Sequence, residues 1–203
     1  HDERQESLMD LVILAAGEGK RFGGDKLLAD IKGIKLYQYM EKIYNQAYDF
    51  DNKIIVSKDG EILEYYKGRG FTSIYNDKPE LGKSRSIKLA VEELKKIENS
   101  GSVLFGVCDQ PLLRSDTISK IIDEFQKSNK TISSVRCGNR LGNPCIFSNK
   151  YFDELLRLGE DEGGKKLIKA HICEVLFVDI ENEDELMDID TKDAYNYVLK
   201  KIH

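Results

Sequence analysis

Twelve residues near the start of the chain, Ala15-Ala16-Gly17-Glu18-Gly19-Lys20-Arg21-Phe22-Gly23-Gly24-Asp25-Lys26, combine four glycines with three cations. Glycines let backbone amides turn inward around an anion, and Lys20, Arg21 and Lys26 add the charge and donors that a triphosphate requires. Two commoner phosphate motifs do not fit. Phe22 stands where the dinucleotide fingerprint needs its third glycine, and Asp25 separates Gly24 from Lys26 with no Ser or Thr after it, which breaks the P-loop pattern. Within the segment Lys26 reads as a point charge that reaches phosphates, and Arg21 as a fork for bidentate capture. The plainer alternative for Arg21 is an ion pair with a surface acid such as Glu18.

Carboxylates supply the second kind of chemistry. Asp109 follows a hydrophobic run, so it should emerge at a strand end as a hard oxygen ligand for Mg²⁺, or else cap a turn. Asp188 and Asp190 are two apart and face the same side of an extended segment, so either could be a second ligand. Ser84 and Ser86 precede an apolar stripe and read as N-caps of a helix whose free amides could also face an anion. Gly142, Asn143 and Pro144 read equally as a turn or as part of a binding wall. His171 falls in a helical stretch and reads as a surface or core histidine rather than a base.

The elements that must position these residues follow from periodicity. Leu11 to Ala15 is a short apolar run closed by Gly17, as in a strand buried on both faces. Leu36, Tyr39, Met40, Ile43, Tyr44 and Ala47 form a helical stripe; strands follow at Lys53 to Ser57 and Thr72 to Tyr75, with a helix around Ile62, Leu63 and Tyr66 between them. A helix carries Ile87, Ala90, Val91, Leu94 and Ile97, a strand runs from Ser102 to Cys108, and Ser115 is placed to cap a helix bearing Ile118, Ile121, Ile122 and Phe125. Further strands are expected at Thr131 to Cys137, Pro144 to Phe147 and Glu174 to Asp179. Helices are expected around Tyr151 to Leu158, Gly163 to Ala170 and Lys192 to Lys201. Strands alternating with helices imply an α/β fold, a doubly wound, mostly parallel sheet with helices on both faces. Ligands then collect beyond the carboxyl ends of the strands, where Gly17, Asp109 and Asp190 should fall.

The 203 residues suffice for one core, so residues 11–203 read as a single domain. Residues 1–10 read as an N-terminal tail, with those before Met9 set aside as an extraneous remnant. A net charge of −5 excludes a nucleic-acid backbone as partner. The four cysteines stand far apart and read as reduced core residues, not as a zinc site or disulfide framework. No run is long and apolar enough to span a membrane, which points to a cytoplasmic protein.

The segment LAAGEGKRFGGDKLL resembles the signature loop of nucleotidyltransferases of the molybdenum-cofactor type, whose pattern L-A-[AG]-G-x-[GS]-x-R-[FM]-G-x-x-K is met from Leu14 through Lys26. The likeness continues through Gly82-Lys83-Ser84-Arg85-Ser86, Cys108-Asp109-Gln110-Pro111, Gly142-Asn143-Pro144, Asp161-Glu162-Gly163-Gly164 and Asp188-Ile189-Asp190-Thr191. The resemblance implies the three-layer nucleotidyltransferase fold and transfer of CMP from Mg-CTP to the terminal phosphate of molybdopterin, with release of pyrophosphate. It implies that Leu14, Ala15, Ala16, Gly17, Gly19, Lys26, Ser84, Ser86 and Asp109 bind the nucleotide, and that Asn143 and Asp161 bind the acceptor. It further implies that Asp109 and Asp190 hold Mg²⁺, with Asp190 matching the family position better than Asp188. Arg21, Lys26 and Asp109 would carry the catalysis. Ala15-Ala16-Gly17 and Gly19 look like the cytidylyl branch, where guanylyl members tend to have a second glycine and a serine. A molybdenum hydroxylase apoenzyme is the implied recipient partner. The alternatives are another nucleotide or a sugar-phosphate acceptor, a non-catalytic escort that hands on a cofactor, and a nicotinamide-dependent oxidoreductase, the last disfavoured by the broken glycine fingerprint.

Overall fold

The computed structural model describes residues 8–17 and 21–202. Glu18, Gly19 and Lys20 of the glycine-rich segment lie outside the described residues. In chain order the elements are β1 (Met9–Ala15), a short hairpin of β2 (Asp30–Ile31) and β3 (Ile34–Lys35), α1 (Leu36–Ala47), β4 (Lys53–Ser57), α2 (Gly60–Lys67), β5 (Thr72–Tyr75), α3 (Lys83–Leu94) and β6 (Ser102–Val107). They continue as α4 (Ser115–Lys127), β7 (Ile132–Cys137), β8 (Arg140–Ser148), α5 (Phe152–Leu156), α6 (Gly164–Ala170), β9 (Val175–Asp179) and α7 (Lys192–Lys201).

Seven strands form one sheet in the order β5-β4-β1-β6-β8-β7-β9. The pairs β1 with β4, β1 with β6, β4 with β5 and β7 with β9 are parallel, and β8 alone runs antiparallel to both its neighbours. Because successive side chains of a strand point to opposite faces, β1 feeds two separate cores. Met9, Leu11, Ile13 and Ala15 pack with α1, α2, α4 and α7, whereas Val12 packs with α3, α5 and α6. The result is the three-layer α/β arrangement expected, with helices on both faces of a mostly parallel sheet. Full burial of each Leu, Ile or Val in these layers contributes about 1.5–3 kcal/mol.

Four local expectations need correction. The first strand starts at Met9, inside the segment set aside as a tail, and both Met9 and Asp10 are fully buried. The apolar run stops short because Asp10 is polar, yet Asp10 is held by Asn52 Nδ2 and Ser100 Oγ at 2.7 Å each, and burial pushes its carboxyl above the usual range. The strand expected from Pro144 begins earlier, at Arg140, so Gly142 and Asn143 lie within β8 rather than in a turn. A proline is tolerated there because the β6 ladder reaches only Cys145 and the β7 ladder is irregular between Ser134 and Arg136, so no N–H is required of it. Ser115 is the first residue of α4, not its cap, and no side chain caps that end. Of the four cysteines only Cys108 and Cys145 are buried, each with its thiol pushed up to about 12 by burial; Cys173 is exposed.

Gly106 shows how closely α1 meets the sheet. The Tyr44 hydroxyl donates to the Val107 carbonyl and accepts from the Val107 amide, both at 3.0 Å, which brings its ring over Gly106. A Cβ at Gly106 would lie 2.2 Å from that hydroxyl. Gly106→Ala is therefore expected to destabilise the protein by about 1–3 kcal/mol through overpacking. Urea denaturation would check this, and an unchanged midpoint would mean that α1 can shift freely from β6.

Candidate active site

The site is assembled where β1 and β6 end. Asp25 caps a 3-10 turn at Lys26–Leu28 by accepting from the Leu27 amide at 3.0 Å, so the residue that breaks the P-loop pattern is the one that orients Lys26. Lys26 turns back over the sheet edge with only 8 % of its side chain exposed. Its ammonium donates to Asp109 Oδ2 at 2.6 Å and to Asp190 Oδ1 at 2.7 Å. Arg21 reaches the other oxygen of Asp190 at 2.7 Å, although 75 % of its side chain is exposed.

A strap formed by residues 186–190 brings Asp190 to this point. The Ile189 amide donates to the Asp109 carbonyl at 2.9 Å, Gln110 Nε2 donates to Asp188 Oδ1 at 2.7 Å, and Arg140 donates to the Leu186 carbonyl at 2.8 Å. Thr191 then caps α7 by accepting from the Ala194 amide. Asp190 and not Asp188 thus shares a cation with Asp109, while Asp188 is held by Gln110.

These neighbours set the charges. Burial pushes the Asp109 carboxyl up, and Lys26 draws it partly back. Asp190 is desolvated too, but hydrogen bonding and charge from Lys26, with Arg21 beyond, hold it below the usual range. Lys26 is raised: burial works against its charge, and the two carboxylates more than offset it. Two carboxylates converging on one cation are a hard oxygen pair of the kind a divalent ion takes. Among the described residues no third His, Cys, Asp or Glu joins them in a group that could hold a metal, which fits an ion that draws its other ligands from substrate phosphates and water.

Two adjoining cavities lie at this edge of the sheet, the first of them bordered by Asp109. One, of about 390 Å³, is lined by Leu14, Ala16, Gly17, Gly82, Ser86 and Asp109 among others. The second, of about 310 Å³, is lined by apolar Phe105, Phe147, Leu155 and Ile168 and by polar Gln110, Arg140, Asn143, Asp161 and Lys165. Asp161 stands between them. Its backbone is left-handed at φ 57°, a conformation Asp tolerates, within a loop tied by Glu162, which accepts from the Gly159 amide and pairs with Lys166. Gly82 has φ 76°, and any Cβ there would meet Asp161 Oδ1 at 2.1 Å, so only glycine permits this approach.

The structure therefore gathers Arg21, Lys26, Asp109 and Asp190 in one cluster, Leu14, Ala16, Gly17 and Ser86 on the first cavity, and Asn143 and Asp161 on the second. Ala15 does not line either cavity; its carbonyl accepts from Ser57 Oγ. Gly19 lies outside the described residues. Ser84 and Ser86 sit inside the first turn of α3 and do not cap it, because α3 starts at Lys83 behind Gly82. Ser84 donates to the Leu81 carbonyl and Ser86 accepts from Asn76. His171 is remote from both cavities and pairs with Glu154 at 2.7 Å. Lys83, Gln110, Arg140 and Lys165 line the cavities without having been singled out from the sequence. A signal existed for one of them: Lys83 and Arg85 place two cations in the first turn of a helix, against its dipole.

Comparison with known proteins gives a consistent picture. The family model described as MobA-like NTP transferase domain matches residues 11–175. The chain is 26% identical over 193 residues to a probable molybdenum cofactor guanylyltransferase of Aquifex aeolicus, covering 92% of this chain and 88% of that protein. It is 27% identical over 162 residues to the bifunctional protein GlmU of Wolbachia pipientis, covering 79% of this chain but only 37% of that longer protein. The crystal structure of Rv0371c from Mycobacterium tuberculosis superposes with a TM-score of 0.81 at 23% identity, covering 96% of this chain and 98% of that one, a likeness of fold.

Removing Lys26 should expose the opposition it relieves. Lys26→Met leaves Asp109 buried without its cation, so its folded pKa rises further above the unfolded value and its charged form weighs against folding. The penalty is fully present well above that folded pKa and fades as the pH falls toward the ordinary carboxylate range. We expect a destabilisation of about 1–3 kcal/mol at pH 8, below that of a fully buried pair because both carboxylates are partly exposed, and a smaller one at pH 5. Urea titrations at the two pH values measure this; a penalty independent of pH would assign it to lost packing instead.

Proposed function

We propose, on the premise that this chain belongs to the MobA-like NTP transferase family and is a nucleotidyltransferase, that it transfers CMP from a metal-bound CTP to the terminal phosphate of molybdopterin. The observation that carries this reading is the pair of adjoining cavities at the carboxyl edge of the sheet, the first lined by Asp109, whose carboxylate is joined through Lys26 to Asp190. A nucleotide in the first cavity has its phosphates beside the cluster, and an acceptor in the second can bring its phosphate to the same place. The apolar walls of the second cavity suit an acceptor with a flat ring system better than a bare sugar phosphate. Gln110, which lines it, has a buried Oε1 without a partner among the described residues, an acceptor for a ligand N–H or O–H.

In the reaction an oxygen of the acceptor phosphate attacks the α-phosphorus of CTP, the bond from that phosphorus to the bridging oxygen breaks, and pyrophosphate leaves. A phosphomonoester has its second pKa near ~6, so at neutral pH the nucleophile is already charged and needs no general base. No histidine among the described residues lines either cavity, in keeping with that chemistry. The protein's task is alignment and neutralisation of charge. Asp109 and Asp190 would hold a divalent ion, Mg²⁺ in our reading, which when bound supplies positive charge to the triphosphate. Lys26 and Arg21, held by carboxylates in the free chain, would exchange those partners for phosphate oxygens. Leu14, Ala15, Ala16, Gly17, Ser84 and Ser86 would bind the nucleotide, and Asn143 and Asp161 would contact the acceptor. A molybdenum hydroxylase would receive the product, inside the cytoplasm; among the described residues no helix is long and apolar enough to cross a membrane.

The base preference rests on Ala16, whose methyl lines the nucleotide cavity where guanylyl members tend to have glycine. The second reading, GTP as donor, is favoured by the Aquifex aeolicus relative's name. The test is to incubate the protein with Mg²⁺, each of the four nucleoside triphosphates and molybdopterin, and to follow pyrophosphate release. CTP should give turnover and the largest rise in melting temperature, since a bound ligand stabilises in proportion to its affinity. Larger effects with GTP would move the protein to the guanylyl branch.

A single substitution addresses the cluster. Asp109→Asn should leave the circular dichroism spectrum intact and lower turnover by ~10²-fold or more, because it removes a charged metal ligand. A folded variant with near-parental turnover would take Asp109 out of the site.

A further inference from the structure

The wall between the two cavities is narrow. Among the described residues only Leu14, Lys83, Val107 and Asp161 line both. Two of the four are apolar and one is an anion, so Lys83 is the sole cation in the shared wall among the described residues. The phosphoryl group that changes partners must pass between nucleotide and acceptor, and its oxygens carry negative charge throughout.

Three features of Lys83 set it apart from the other basic residues near the site. Lys26 and Arg21 are held by carboxylates, and Arg140 by Glu183 and the Leu186 carbonyl, while Lys165, which has no such partner among the described residues, lines the second cavity only. The structure gives exposed Lys83 no ion pair or hydrogen bond from its ammonium to any described residue. It is also the first residue of the twelve-residue helix α3, whose N-terminus no side chain caps and whose first turn holds no acid. A cation there opposes the helix dipole, an arrangement that an anion bound against the free amides and the ammonium together would relieve. Finally, its charge reaches both Asp109 and Asp190, so its ammonium stands within electrostatic range of the carboxylate pair.

We infer that Lys83 is a catalytic residue that holds the α-phosphate of the nucleotide at the junction of the two cavities, with the amides at the start of α3 beside it. Lys26 and Arg21 then serve the leaving phosphates on the far side, and the charge on the migrating phosphoryl group is met from two directions. This rests on the nucleotidyl-transfer reading of the site but not on the identity of the base or the acceptor.

The test uses whichever of the four nucleoside triphosphates raises the melting temperature most. Calorimetric binding of that triphosphate, its monophosphate and its nucleoside is compared in the parent, Lys83→Gln and Lys83→Arg. Lys83→Gln should bind the monophosphate at least 10-fold more weakly and the nucleoside within twofold of the parent, and Lys83→Arg should recover most of the loss. The melting temperature without ligand should not fall, since Lys83 opposes the dipole of α3 and makes no ion pair or hydrogen bond from its ammonium among the described residues. Monophosphate binding within twofold of the parent in Lys83→Gln would overturn the assignment. So would equal losses for nucleoside and monophosphate, which would mean a changed cavity rather than a lost phosphate contact. A nucleotide other than CTP binding best would end the cytidylyl reading while leaving the Lys83 comparison intact.

Discussion

Two carboxylates on segments eighty residues apart, Asp109 and Asp190, are kept together by one ammonium. Without a cation between them they would repel at close range in a partly desolvated setting, where opposition between like charges is felt strongly. Lys26 resolves this in the free chain, and its own burial is tolerated for the same reason. The arrangement ties three distant pieces of sequence to one point: the loop after β1, the end of β6 and the strap before α7. Cations that satisfy carboxylates before substrate arrives are already in place for phosphates afterwards, so the site does not have to gather its charge from solvent.

The strap is held to the end of β6 by backbone and side chain together. The amide of Ile189 on the carbonyl of Asp109, Gln110 on Asp188 and Arg140 on Leu186 fix residues 186–190 along the sheet edge. Ile189 and Leu186 are buried beneath it, so hydrophobic packing and hydrogen bonds act at the same place. Gly142 and Gly82 contribute by what they lack. A Cβ at Gly142 would lie 2.5 Å from Leu186, as one at Gly82 would strike Asp161, and both walls can close only because those positions are glycine.

Much of the fold was legible because its strands are short apolar runs and its helices carry clean stripes; β4, β5 and α7 fall on the expected residues. Errors arose where a polar residue is buried with dedicated partners, as Asp10 is, or where proline sits at an irregularity of the ladder, as Pro144 does. The antiparallel sense of β8 could not be read from periodicity, which is the same for a strand in either direction. In the site, residue types revealed Lys26, Asp109 and Asp190, but not that they bind one another, because that depends on a strap folded back over more than eighty residues. Lys83 stood inside a quoted motif and was passed over, since cations set against a helix dipole point to no particular ligand until the cavities on either side of Lys83 are known.

The reversed direction of β8 gives the second cavity an unusual kind of wall. Parallel strands offer loops at the carboxyl edge of a sheet, and loops can lengthen or shorten with little effect on the core. Here residues of one strand, Leu141, Gly142, Asn143, Cys145 and Phe147, line the cavity in succession. Where the pairing with β6 is regular, from Cys145 to Phe147, their spacing is that of a pleat, about 6.8 Å. Pairing of Phe105 with Cys145 and of Val103 with Phe147 sets Asn143 toward the Asp109 end and Phe147 farther down the sheet. In the proposed reaction the strand would work as a ruler fixed in the sheet, with a polar graduation near the reacting phosphate and an aromatic one at the far end. An acceptor would be measured by how far its body extends from its phosphate, and the scale could be altered only by exchanging a side chain at one of its marks.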